Sequence, residues 1–120
     1  MTAQRFPARF RILRNADFRR AYRKRCTASD GELLVFGHEN GLPHPRLGLS
    51  VSKRLGNAVV RNRWKRVLRE AFRLSRPKLP CGLDLVVVPR ENGKAELDRV
   101  TRSLCRLAGK LARKIGRVRG

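Results

Sequence analysis

The chain has 120 residues, 41% of them apolar, enough for one domain with its own core and too few for two ordinary ones. Thirty Lys and Arg against nine Asp and Glu give a formal charge of +21, most of it from Arg. Charge of this size selects polyanionic partners and opposes self-association, and guanidinium forks match phosphate, so nucleic acid is the leading partner class. No run of eighteen apolar residues is present, which excludes a membrane-spanning helix. The start Met1-Thr2-Ala3-Gln4-Arg5-Phe6-Pro7 lacks the apolar stretch of a secretory signal. Cys26, Cys81 and Cys105 are odd in number and widely spaced, so neither a zinc site nor a disulfide framework is expected, and the thiols read as reduced in a cytoplasmic protein.

Residues 1–14 set Arg5, Arg9, Arg11 and Arg14 among Phe6, Phe10, Ile12 and Leu13, a basic arm ordered by its apolar residues. The first helix is predicted to start at Asn15 as N-cap, with Asp17 in its first turn and Phe18, Ala21 and Tyr22 on one face. Phe18 and Tyr22 are core residues or, half exposed, stacking surfaces for a base. Positions 26–31 read as a loop and Glu32–His38 as a strand. Asn40-Gly41, Pro43 and Pro45 keep the next segment irregular. From Leu47 the chain alternates: Leu47, Leu49 and Val51 on one face, Gly48, Ser50 and Ser52 on the other, a small face that admits another backbone, a ligand or solvent.

The central helix begins after Asn57, its predicted N-cap. Val60, Trp64, Val67, Leu68, Ala71 and Leu74 stack on one side, and Arg61, Asn62, Lys65, Arg66, Arg69 and Arg73 lie on the other. One face wants a core and the other wants an anion. Residues 75–82 break the helix with two prolines, and Leu83–Val88 is a strand expected to be covered on both faces. Glu91-Asn92-Gly93 turns the chain into a last helix from Ala95, apolar at Leu97, Val100, Leu104, Leu107, Ala108, Leu111 and Ile115. The tail, 116–120, reads as frayed. The predicted fold class is α+β: an α-β-β-α-β-α sandwich with a small central sheet and helices packed largely on one side, forming a single nucleic-acid-binding domain over 1–120.

His38 and His44 are the only histidines, both beside the 40–45 turn, and no carboxylate or lysine constellation surrounds them. A Walker-type phosphate loop is absent. The segment Leu49-Ser50-Val51-Ser52-Lys53-Arg54-Leu55-Gly56-Asn57-Ala58-Val59-Val60-Arg61-Asn62-Arg63-Trp64-Lys65-Arg66-Val67-Leu68-Arg69-Glu70-Ala71-Phe72-Arg73 closely resembles the signature of the bacterial ribonuclease P protein family. The resemblance extends to Asp17-Phe18 with Tyr22, to Asp84-Leu85-Val86-Val87-Val88-Pro89-Arg90 and to the final helix. Tyr22 and Phe36 exchange Phe and Tyr relative to common members, and Trp64 replaces a smaller apolar residue.

The resemblance implies a protein subunit bound to a catalytic RNA that removes the 5′ leader of precursor tRNA, with the active site and its Mg²⁺ held chiefly by the RNA and no metal held tightly by the protein alone. It implies that Lys53, Asn57, Arg61, Asn62, Arg63, Lys65, Arg66, Arg69 and Arg73 meet the catalytic RNA, and that Phe18, Tyr22, Leu34 and Phe36 line a cleft for the leader. A left-handed crossover between the strands flanking the central helix is implied too. The expected partners are the catalytic RNA and precursor tRNA, with no membrane and no obligate protein partner. Two competing readings are a ribosomal or general RNA-binding protein without turnover, and a small ribonuclease acting alone through His38 and His44.

Overall fold

A computed structural model describes residues 6–119, with side chains through Gly116. Arg5 of the expected basic arm lies outside the described residues. In chain order the elements are α1 (Asn15–Lys24), β1 (Thr27–Ser29), β2 (Leu33–Glu39), β3 (Arg46–Leu49), α2 (Ala58–Ser75), β4 (Leu83–Pro89) and α3 (Leu97–Arg119). The strands form one sheet in the order β1-β2-β4-β3. β1 and β4 are antiparallel to β2, while β3 runs parallel to β4, so β3, α2 and β4 make a crossover unit.

The α+β class holds, with one strand more than the sequence predicts. Thr27–Ser29 pairs with Leu34–Phe36 where a loop was expected. Three residues without an apolar alternation carry no strand signal of their own; the edge of β2 makes them a strand. α1 begins as predicted, but its N-cap is Arg14 and its Asn15 is already helical, with no side chain capping the first turn. α3 stays helical to Arg119, past the glycine at which the sequence reading ends it.

The register divides the sheet into two faces. Leu33 and Val35 of β2, Leu47 of β3, and Leu83, Leu85 and Val87 of β4 point to one side and are buried beneath α2 and α3. This is the main core. α3 contributes Val100, Leu104, Leu107 and Leu111, all fully buried. α2 contributes Trp64, Leu68, Ala71 and Phe72.

The buried stripe of α2 is rotated from the one predicted. Val60 and Leu74 are 38% and 49% exposed, and Phe72, left out of the predicted stripe, is fully buried. More apolar residues lie around this helix than one stripe can bury. The ridge chosen is the one that seats the largest ring, and Phe72 meets Phe6 edge to face at 5.5 Å. The entry to α2 follows its prediction: Asn57 accepts from Val60 N at 3.1 Å. Gly56 before it holds φ +140°, which only glycine adopts freely.

α1 alone lies on the other sheet face, so the helices are split two to one. Ala21 is fully buried against Val86 and Ile12, with Phe18 and Phe36 packed around them. Gly48 makes this approach possible: a Cβ there would stand 2.8 Å from the Phe18 ring. A charged lock accompanies the apolar seat. Asp84 on β4 is 1% exposed, and Arg46 of β3 grips it through two bonds of 2.7 and 2.6 Å. Asn40 adds a third donor at 2.9 Å, and Arg46 reaches on to Asp17 of α1 at 3.5 Å. Hydrogen bonding to Asp84 outweighs burial and raises the pKa of Arg46.

A second lock ties the β1–β2 turn to α3. Asp30 accepts from the amides of Glu32 and Leu33 at 2.8 and 2.9 Å and from Ser103 and Arg106 of α3. Burial works against its charge, but these four bonds prevail and hold its carboxyl below the usual value of 3.8.

Two outcomes follow from these locks. Arg46→Ala leaves the buried Asp84 carboxylate without its cation, and urea denaturation should show a loss on the order of 3–5 kcal/mol; a loss of a few tenths would show that the pair is not holding the sheet to α1. The folded state favours ionised Asp30, so the stability tied to it is complete above 3.8 and is lost as pH falls through its lower folded value. Asp30→Asn should therefore flatten the acid limb of the stability–pH curve just below 3.8, read by thermal melts between pH 5 and 2; an unchanged limb refutes the assignment.

Candidate nucleic-acid interface

Two surfaces collect the functional candidates. The first is the part of the sheet that α1 leaves open. Register places Leu34 level with Val88, Phe36 level with Val86, and His38 level with Asp84. On the other side of β4, Gly48 stands level with Val86 and Arg46 with Asp84. α1 covers the last two of these rows with Phe18, Ala21 and Asp17. The Leu34–Val88 row stays half-buried, and the ladder runs one bond past β3, with Ser50 N donating to Val87 O at 3.0 Å. That bond sets Ser50 beside Val88. The result is a shallow trough with an apolar floor and α1 as one wall.

All four residues predicted for a leader cleft come together here. Tyr22 is 36% exposed and meets Phe36 edge to face at 4.8 Å and 86°. This contact orients the phenol ring while leaving it partly exposed. Phe18 is half-buried, with its ring over Gly48, and Leu34 lies in the floor. The small face of β3 is thus only partly open: Gly48 receives a side chain of its own chain, and Ser50 is the open position. Val88 was missed, because the Leu-Val-Val-Val run suggests cover on both faces. Strand alternation from Val86 is the signal that finds it.

The second surface is the outer side of α2. The nine residues implied for the catalytic RNA lie on α2 and the turn before it and differ in their engagement. Asn62, Arg66 and Arg69 are exposed and make no hydrogen bond or ion pair among the described residues, and Lys53 projects from the 3-10 turn Lys53–Leu55. Arg61 folds back onto Gly56 O at 3.3 Å, with Lys65 half-buried on the same flank. Arg63 turns the other way, to Ala95 O at 3.2 Å. The oxygen of Asn57 is occupied by its capping bond. Arg73 is held by Glu70 through two bonds of 2.8 and 2.7 Å, and these keep the Glu70 carboxyl below its usual range.

The two surfaces meet at Arg69. One cavity, of about 390 Å³, is lined by Arg66, Arg69 and Arg73 with Glu70 and Phe6. The next is lined by Arg69 together with Arg11, Phe18 and Leu49. Arg69 thus stands between the strip on α2 and the trough beside α1. Arg11 was read only as part of the arm; the short pairing of Arg11 with Leu47 brings it here.

The histidines have separate surroundings. His38 lies in the Asp84 row of the sheet, where burial lowers its pKa and the Arg20 and Lys24 charges add to the effect against Asp84. His44 packs edge to face on Phe10 at 5.0 Å, with Nδ1 3.1 Å from Pro45 O. Among the described residues no three His, Cys, Asp or Glu side chains group as metal ligands. Asp17, Asp30, Glu32, Glu70 and Asp84 are each engaged by an arginine, which does not suit a resident Mg²⁺. No helix of the described residues is long and apolar enough to cross a membrane.

Comparison with known proteins agrees with this geometry. The family described as Ribonuclease P matches residues 6–112. The ribonuclease P protein component of Clostridium kluyveri is 40% identical over 106 residues, 83% of this chain and 95% of that one. A solved structure of the Staphylococcus aureus RNase P protein superposes with a TM-score of 0.73 at 37% identity, covering 86% of this chain and 94% of that one. The RNase P protein from Thermotoga maritima gives 0.75 at 30% identity, covering 83% and 96%. With a matched span that takes in α1, every strand and α2, the chain belongs to the ribonuclease P protein family.

Proposed function

We propose that this subunit holds two RNAs at once, the catalytic RNA on the outer strip of α2 and the single-stranded 5′ leader of precursor tRNA in the trough beside α1. The observation that carries this reading is the pairing of unlike surfaces. Asn62, Arg66 and Arg69 offer unpaired donors on a rigid helix, suited to the phosphates of a folded RNA. Tyr22 and Phe36 offer fixed ring faces over an apolar floor, suited to unstacked bases. Phosphate contacts position a strand without reading its sequence, so the leader is held with little base preference.

In this reading the chain supplies binding and positioning, and hydrolysis belongs to the RNA partner and the Mg²⁺ ions it holds. Separately engaged histidines and arginine-bound carboxylates support that division, since a general acid–base pair needs both groups within reach of one reacting atom. The cytoplasm is the expected site of action, and no further protein is required. A general RNA-binding protein would share the strip on α2 but has no need of the trough.

The test is cleavage of precursor tRNA at low Mg²⁺ with protein, catalytic RNA or both; turnover that needs both components is expected, and cleavage by the protein alone refutes the division of labour. Within that assay, Arg66→Ala with Arg69→Ala should weaken binding to the catalytic RNA. It should also reduce the slope of log K against log salt by about 0.9 per lost duplex contact. An unaltered slope removes this strip from the phosphates. Tyr22→Ala should weaken binding of precursor tRNA by about 1–3 kcal/mol per stacked base and spare mature tRNA, which has no leader. Equal losses for both substrates would take Tyr22 out of the trough.

A further inference from the structure

α3 carries a second basic row that neither proposed surface uses. Its inner side is filled by the core. Its outer side presents Arg99, Arg102, Arg106, Lys110 and Arg113 on successive turns, all exposed. Two of them are held by the β1–β2 turn: Arg99 by Glu32 at 2.8 Å, and Arg106 by Asp30. Both remain about half exposed, with N–H groups to spare. Arg102, Lys110 and Arg113 make no hydrogen bond or ion pair among the described residues.

Helix stability does not account for this row. Cations three and four residues apart repel by a few tenths of a kcal/mol per pair. Arg99 and Arg102 also sit in the first turns, where the helix dipole disfavours positive charge. Glu32 pairs with Arg99, whereas Arg102 has Asp98 one turn before it but makes no ion pair among the described residues. An anion outside the protein would offset the repulsion that remains along the row.

We infer that the outer row of α3 is a second contact surface for the phosphate backbone of RNA, engaging a different segment from the one on α2. The inference rests on the reading that this chain works within an RNA complex. The two rows diverge. On α2, Arg66 and Arg69 turn toward Phe6 and Arg11, whereas on α3, Arg102 and Arg106 turn toward the β1–β2 turn. Between the helices lie Leu97 and the half-exposed Leu74, with Asp98 and Arg102 at the α3 side of that strip. From Arg102 to Arg113 the helix rises about 16 Å, enough to follow several phosphates of one strand. Such contacts add affinity and orientation without reading bases.

The experiment compares two triple variants of the full chain, each assembled with the catalytic RNA of the same organism and with precursor tRNA. One is Arg102→Ala, Lys110→Ala, Arg113→Ala. The other removes equal charge elsewhere, as Lys78→Ala, Arg90→Ala, Lys94→Ala. Circular dichroism melts check folding, and Arg102→Gln with Arg113→Gln replaces the first triple if it melts early. The α3 variant should lower the salt slope of binding by about 2 to 3, at roughly 0.7–0.9 per contact, for at least one of the two RNAs. The control should leave the slope close to that of the unmodified protein. No change in the α3 variant, or equal changes in both, overturns the inference. Failure of the parent reading is seen separately, as an absence of RNA-dependent cleavage with the unmodified chain.

Discussion

The Asp84 carboxylate lies 1% exposed beneath α1, and the guanidinium of Arg46 makes that burial tolerable. An unpaired charge at this depth costs several kcal/mol. Arg46 comes from β3, Asp84 from β4 and Asp17 from α1, so one cation ties together three elements that meet only in the folded chain. It fixes where α1 sits on the sheet. Where α1 sits decides which strand rows are covered and which row is left open beside it. The trough is the uncovered remainder of a sheet face whose cover is held by a salt bridge at one end and by the Phe18–Gly48 contact in the middle.

This arrangement also explains how a chain of charge +21 folds at all. Four of its nine carboxylates join separate elements through arginine. Asp84 and Asp17 join α1 to the sheet, Asp30 and Glu32 join the β1–β2 turn to α3, and Glu70 steadies Arg73 on α2. Each joint neutralises a cation where the protein needs rigidity. Arginines outside these pairs line α1 and its flanks as well as the outer sides of α2 and α3. Self-repulsion there weakens the free chain, and an RNA that neutralises it should stabilise the folded state through the same contacts that bind it.

Periodicity carried most of the fold. The β-prone run of β2 places that strand within one residue at each end, the alternation from Leu47 finds β3 but runs past its end at Leu49, and the apolar stripe of α3 finds a helix that continues to Arg119. What it could not carry was anything settled by a partner far along the chain. β1 is a strand only because β2 is beside it. α2 turns to bury Phe72 rather than Val60 because Phe6 waits on that side. Arg46 was invisible as a joint: one arginine among many has no local signature, and its partner lies 38 residues away. The candidate site was legible in the same proportion. The aromatic set of the trough was named from sequence, whereas Val88 and Arg11 needed the register. The residues assigned to the catalytic RNA differ in what they are free to do, which the sequence does not show: Arg61 is bonded to Gly56 and Arg63 to Ala95, while Arg66 and Arg69 stay exposed.

Arg69 shows why the two surfaces belong to one device. α2 is anchored on the far side of the sheet by Trp64, Leu68 and Phe72, and α1 on the near side by Asp17 and Phe18, so neither helix can shift without moving the sheet between them. Packed interiors transmit such constraints because they do not deform smoothly. Arg69 is the point where the charged strip reaches around the β3 edge to the wall of the trough. A folded RNA seated on α2 and a single strand lying along the trough would therefore be held at a fixed offset and meet near Arg69 and Arg11. That offset is a property of the core and the Arg46 joint. In the proposed reading, that fixed offset is what the subunit contributes: it would set where a substrate strand lies relative to a second RNA seated on α2.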